Sequence, residues 1–204
     1  MPELFTLAEA AAIADLAPES IRTALEKKSV ASSHRQRVGK AVRHQFSQAD
    51  ILLLKVLTEF PFALSKQDKD ALATVLAAGA KQSGCWSRRS SELIYQCGDM
   101  RVAVELKPIQ TKISRNISIY RRGNRRITSN SAVLGGEPVF RGTRIPLEHI
   151  TSLFRKAVPE AEIAEDFPQL TSRDLEYARL AARFVDRPGR PRKRLVMQRA
   201  SRAA

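Results

Sequence analysis

The sequence predicts an α+β protein, mainly helical, on three observations. Four helix starts carry the same capping device, a basic hairpin sits among the first helices, and a glycine-rich string precedes the last three. At 204 residues the chain can bury a core without disulfides or metals, in one large or two small units. Cys85 and Cys97 have no histidine neighbours and make neither a disulfide framework nor a zinc signature. No apolar run approaches the roughly 18 residues that a membrane span needs. Met1-Pro2-Glu3 begins no signal peptide, so a cytoplasmic protein is expected.

The capping device is a Ser or Thr three residues before an acid, which places an oxygen and a carboxylate on the orphan amides of a helix start. It occurs at Thr6 with Glu9, Ser47 with Asp50, Ser65 with Asp68, and Thr171 with Asp174. Residues 7–14 form an alanine-rich first helix. Asp15-Leu16-Ala17 is a tight turn, and Pro18 suits the first position of a second helix running to about Lys28. Two short helices so spaced match a helix-turn-helix. Ile21, Ala24 and Leu25 face inward, which leaves Glu19, Ser20, Arg22, Thr23, Glu26 and Lys27 outside. Of these, Ser20, Arg22, Thr23 and Lys27 are candidate DNA contacts, able to donate to phosphates and base edges. Residues 34–38 and 41–46 form short strands about Gly39-Lys40, a basic hairpin like the wing of a winged helix. Arg35, Arg37 and Arg43 would lie against phosphates or the minor groove. Ser47 opens a helix with Ile51, Leu54 and Leu57 on one face. Ser65 opens another, ended by Gly79, with Leu72, Val75 and Leu76 packing onto the preceding helices or a second copy. This order over residues 4–60 resembles the DNA-binding domain of MerR-like regulators. The long coiled coil of such regulators is missing, so effector sensing does not carry over.

Charge is unevenly placed. The chain carries a formal +14 with a pI near 10.5. Residues 1–80 contribute +1, 81–130 contribute +8, 131–186 contribute −2 and 187–204 contribute +7. Such blocks imply a polyanionic partner, a nucleic acid or a protein with an acidic cavity.

From Lys81 the helical pattern stops. Glu92 to Cys97, a Gly98-Asp99 turn and Arg101 to Leu106 read as a hairpin, and Ile113 to Tyr120 as a further strand. Arg121-Arg122-Gly123-Asn124-Arg125-Arg126 reads as a basic turn. This region is either a phosphate-contacting surface or a linker sheet with solvated arginines.

The last structured part opens on Val133-Leu134-Gly135-Gly136-Glu137-Pro138-Val139-Phe140-Arg141-Gly142-Thr143-Arg144-Ile145-Pro146. Its glycines allow positive φ, so Val139-Phe140 and Arg144-Ile145 can close a tight hairpin around Arg141-Gly142-Thr143. A helix with Leu147, Ile150, Leu153, Phe154 and Ala157 on one face follows. Pro159 starts a second helix, and Thr171 a third carrying Leu175, Ala178, Ala182 and Val185. Three short helices and a hairpin make a small core, so dimerisation is expected here. No Gly-x-x-x-x-Gly-Lys-Ser/Thr string is present, and His34, His44 and His149 lack metal or catalytic partners, so no enzyme, catalytic residue, metal or cofactor is expected.

The string over residues 133–147, with Gly135, Gly136, Pro138, Gly142, Thr143, Arg144 and Pro146 as its structural signature, closely resembles the family called domain of unknown function 433. Downstream, residues 162–171 resemble that family's short helix, Pro turn and capped last helix. The resemblance covers about residues 127–186. It implies a small helical domain, and, for many members, an antitoxin paired with a PIN-like ribonuclease toxin. Joined to a MerR-like first domain, it resembles the longer VapB-type antitoxins.

Residues 187–204 are basic, proline-bearing and too polar to fold alone. Three readings stay open for Arg187, Arg190, Arg192, Lys193 and Arg194. The resemblance implies a tail that wraps the toxin and neutralises its carboxylate cluster. Gly189-Arg190-Pro191 is similar to the core of a minor-groove AT-hook, although Pro188 replaces its usual first arginine. The third reading is an unstructured end. The expectation is therefore four parts: residues 1–80 a winged helix-turn-helix, 81–126 a basic β-rich connector, 127–186 the helical domain, and 187–204 a disordered basic tail. Function is expected to be that of a dimeric type II antitoxin that binds operator DNA and neutralises a PIN-like ribonuclease. A stand-alone DNA-binding regulator or nucleoid-associated protein is the alternative.

Overall fold

The computed structural model describes residues 3–26, 34–38, 41–60, 62–77, 79–131 and 134–185, with the side chains of 34–38 and 41–42 outside that description. The chain is mixed α/β, with eight helices and three small sheets among the described residues.

Strand β1 (Phe5–Thr6) runs into α1 (Leu7–Ala14), where Thr6 accepts from the Glu9 amide and the Glu9 carboxylate accepts from the Thr6 amide. Every residue from Ala10 to Ala14 is buried. Small side chains let α1 sit among neighbours on several sides. Asp15 ends α1 in the left-handed region, and α2 (Pro18–Glu26) follows after a three-residue turn with Pro18 at its first position. Strands β2 (His34–Val38) and β3 (Ala41–Phe46) pair antiparallel, and β1 adds to the far edge of β3, placing buried Phe5 opposite buried Phe46. Helices α3 (Gln48–Glu59) and α4 (Lys66–Ala77) start at Ser47 and Ser65, whose hydroxyls accept from the Asp50 and Asp68 amides. The inward face expected for the second of these, Leu72, Val75 and Leu76, is buried.

The expected hairpin forms as β6 (Glu92–Cys97) and β7 (Met100–Glu105), extended by β4 (Gln82–Ser83) and β5 (Trp86–Arg89) into a four-stranded sheet. Trp86 locks this sheet onto α4: it is fully buried among Phe60 and Tyr95, and its indole N–H donates to the Asp68 carbonyl at 2.8 Å.

The structure then departs from the sequence reading. Residues expected as a strand (Ile113 to Tyr120) and the first four of an expected basic turn (Arg121 to Arg126) belong to one helix, α5 (Leu106–Asn124), with Arg125 as its C-cap and Arg126 in the turn beyond. The apolar residues Leu106, Ile109, Ile113, Ile117 and Tyr120 recur every three or four positions, the helical period. Over the eight residues from Ile113 to Tyr120 alone, that period is not distinguishable from strand alternation. Gly123 is not a turn residue but lies inside the helix. Helix α5 links the two cores of the molecule. Ile113 and Ile117 join Phe5, Ile21, Phe46 and Trp86 on one side, whereas Ile119 joins Phe140, Ile150 and Tyr177 on the other.

Beyond it, β8 (Ile127–Thr128) pairs with β9 (Val139–Phe140), and α6 (Leu147–Arg155), α7 (Glu160–Asp166) and α8 (Ser172–Ala181) follow. The Thr171 capping box is complete. Ala157, expected on the inner face of α6, instead lies past its end, exposed and with a φ of 59°. Helix α8 packs on α5 and α1, so α5 covers the C-terminal core from within the same chain.

Candidate nucleic-acid interface

On α2, Ile21 is fully buried and anchors the helix, while Ser20, Arg22 and Thr23 are exposed. Glu19 and Glu26 share that outer surface, and Arg22 lies 3.6 Å from Glu19 with both side chains mostly in solvent. A pair so exposed contributes little, so the guanidinium is free to exchange partners. On β3, Arg43 is exposed and stands opposite Gln36 in the hairpin register. Lys27 and the side chains of Arg35 and Arg37 lie outside the described residues, as do Arg187, Arg190, Arg192, Lys193 and Arg194. The described outer face of α2 thus offers hydroxyl and guanidinium donors but no net positive charge.

The glycine-rich string builds a braced loop. Leu134 to Gly136 make one 3₁₀ turn, with Gly135 and Gly136 at φ of 66° and 91°. Phe140 donates to the Ile145 carbonyl at 3.1 Å, and Val139 bridges Pro146, which closes the expected tight turn. Gly142 takes a φ of 81° at its apex. Thr143 holds both sides: its hydroxyl donates to the Phe140 carbonyl at 2.9 Å and accepts from the Ile145 amide at 3.1 Å. Pro138 accepts from the Leu147 amide at 2.9 Å, tying the loop to the start of α6. Val139 and Phe140 are buried, so the loop projects Arg141, Gly142 and Arg144 into solvent.

Two part-buried ion pairs lock the helices behind it. Arg126 donates through Nε and Nη2 to the two carboxylate oxygens of Asp174, each at 3.0 Å, and Asp174 is 1% exposed. Burial raises the Asp174 pKa, but the bonds from Arg126 and Thr171 outweigh it and hold the carboxyl below its ordinary value. The same pairing raises Arg126. Arg155 makes a fork to both oxygens of Glu148 at 2.9 and 3.0 Å and also donates to the Ala182 carbonyl, joining α6 to the end of α8. Nearer α1, hydrogen bonds from Lys112 and Arg183 pull Asp15 down to about 2.

Sequence reasoning missed that Arg122, Arg125 and Arg126 converge with Arg141 and Arg173 around the end of α5. No local spacing signals this, because Arg122 lies in the last turn of α5 and Arg125 and Arg126 just past it, while Arg141 and Arg173 come from distant segments. Among the described residues no group of three or more His, Cys, Asp or Glu stands where it could hold a metal ion, and no helix is long and apolar enough to cross a membrane.

The fold and site define a mixed α/β chain with an N-terminal helix pair and hairpin and a C-terminal helical unit opened by a braced loop. Residues 127–180, from β8 to the last turn of α8, match the family model described as "Protein of unknown function (DUF433)", about a quarter of the chain. No curated protein and no solved structure matches the chain.

Proposed function

We propose that this protein is a DNA-binding antitoxin: its N-terminal part acts as a winged helix-turn-helix on operator DNA, and its C-terminal part and tail neutralise a PIN-like ribonuclease. The DNA reading is carried by one observation. The second of two helices joined by a three-residue turn exposes Ser20, Arg22 and Thr23, and a hairpin exposing Arg43 follows it. That is the arrangement in which a recognition helix enters the major groove while a basic hairpin meets the backbone. The toxin reading is supported by the resemblance of residues 127–186 to a family with many antitoxin members, and by the acid-free basic run from Arg187 onward. A basic tail laid among metal-binding carboxylates would neutralise such an active site. Dimerisation, common among proteins that read palindromic operators, belongs to the same proposal.

The test is binding of the full chain to duplex DNA from its own promoter across a salt series. Replacing Arg22 and Arg43 with Ala is expected to lower the slope of log affinity against log salt by about one unit per lost phosphate contact. An unchanged slope removes α2 and the hairpin from the interface. For the toxin, a chain lacking residues 187–204 is expected to lose inhibition of a co-expressed PIN-like ribonuclease while keeping duplex affinity. If truncation instead collapses duplex affinity and the nuclease stays inhibited, the tail is a DNA element. A chain recovered without any partner, yet binding duplex tightly, would be a stand-alone regulator.

A further inference from the structure

Among the described residues, positive charge is not concentrated on the exposed face of α2. It converges at the far end of α5, where a cleft of about 570 Å³ is lined by Arg122, Arg125, Arg126, Arg141 and Arg173 against one acid, Glu176. Three separate parts of the chain supply these groups. Arg122 comes from the last turn of α5 and Arg125 and Arg126 from the residues just past it, Arg141 from the braced loop, and Arg173 from the first turn of α8. Bringing five guanidiniums together costs repulsion, and the fold meets only part of it. Arg126 is neutralised by Asp174, and Arg122 reaches Glu176 only at 3.8 Å, an oxygen pair already shared with Arg115 at 3.1 Å. Among the described residues Arg125, Arg141 and Arg173 have no acidic partner, and all three are exposed. At the start of α8 the Asp174 carboxylate accepts from the Thr171 amide and hydroxyl, which places a negative charge there.

We propose that this cleft is a phosphate-binding site, filled by the backbone of a polynucleotide. Guanidinium forks match phosphate oxygens in charge and planar geometry, and three unpaired ones facing one cleft are complementary to a polyanion rather than to a single carboxylate. No aromatic ring lines it, so a free nucleotide would find no stacking platform for its base, whereas a sugar–phosphate backbone needs none. A second depression of about 620 Å³, lined by Glu3, Phe5, Gln48, Tyr120, Arg121 and Asn124, shares Arg125 with the cleft. The choice of polynucleotide rests on the nucleic-acid part of the proposed function, while the phosphate site itself does not.

The experiment uses the full-length protein carrying Arg141→Gln and Arg173→Gln together, which leaves the Arg126–Asp174 pair intact. Binding of a short duplex and of inorganic tripolyphosphate is measured over a salt series, beside the Arg22→Ala, Arg43→Ala variant. Unpaired exposed arginines hold nothing in place, so melting is expected to shift by less than about 2 °C. The expected result is at least a tenfold loss of duplex affinity, a salt slope lower by about two units, and loss of tripolyphosphate binding. Loss of tripolyphosphate with duplex binding untouched supports the phosphate site and overturns the polynucleotide as its occupant. Unchanged binding of both probes overturns the site altogether, including the case in which these arginines meet an acidic protein. A slope that falls only in the Arg22, Arg43 variant, with tripolyphosphate binding also unchanged by the Arg141, Arg173 variant, keeps the winged-helix reading and sinks the cleft. One that falls only in the Arg141, Arg173 variant does the reverse.

Discussion

Replacing Gly123 with alanine is expected to destabilise the protein by about 3 kcal/mol or more, at the upper end of overpacking effects. A Cβ built at this position would overlap Cγ, Cδ2 and Cβ of Tyr177, a residue 3% exposed in the middle of α8. Because Tyr177 Cβ is itself in the way, rotating the ring gives no relief, and α5 and α8 must move apart. Glycine inside a helix ordinarily costs about 1 kcal/mol relative to alanine, so an isolated α5 would gain from the change. Opposite signs in the isolated helix and the whole protein are therefore expected. Thermal unfolding checks this: with about 2–4 °C per kcal/mol for a chain of this size, a fall of roughly 6–12 °C should be seen. A melting point unchanged or raised would mean that the two helices do not approach this closely. The same variant should also weaken tripolyphosphate binding, because Gly123 lines the cleft beside Arg122, and parting α5 from α8 would move Arg122 and Arg125 away from Arg173.

The second large effect belongs to Asp174. Substitution by Asn keeps the shape but removes the charge that accepts from Arg126 and from the amide and hydroxyl of Thr171. Breaking a buried pair costs about 3–5 kcal/mol. Since Arg126 is 43% exposed and can turn to water, about 2–3 kcal/mol is expected here. The pH dependence has a definite sign. A carboxyl whose folded pKa is depressed contributes stability that is fully present above its unfolded value, near 4, and is lost as pH falls through the folded value. The gap between wild type and Asp174→Asn, measured by urea unfolding, should be constant from neutral pH to about 5 and then close toward pH 3. A gap independent of pH would show that shape rather than charge carries the effect. Asp15, held at about 2 by Lys112 and Arg183, should leave residual acid sensitivity in the variant over the range from about 4 down to 2.

These two positions also mark where the sequence was and was not legible. Local signals survived folding. The capping residues Thr6, Ser47, Ser65 and Thr171 start helices as expected, and Pro18, the Gly98-Asp99 hairpin turn and the closure of the loop around Gly142 stand where the residues placed them. Each depends on atoms within a few residues, which a sequence displays directly. Helix α5 was misread because strand and helix periods overlap over eight residues, and because Gly123 and its flanking arginines have the composition of a turn. What makes that segment helical is burial of Ile113 and Ile117 against the N-terminal core and of Ile119 against the C-terminal one, partners far away in the chain.

By itself the sequence determined the helix starts, the two N-terminal helices with their hairpin, the braced loop at residues 138–146 and the block distribution of charge. Those follow from short-range hydrogen bonding, backbone preference and counting. Only the tertiary structure decided that the basic centre is a helix joining two cores, that Gly123 exists for Tyr177, and that arginines 122, 125, 126, 141 and 173 share one cleft. Convergence of like charges from three segments depends on packing between distant parts of the chain, for which no local pattern in the sequence stands as a sign.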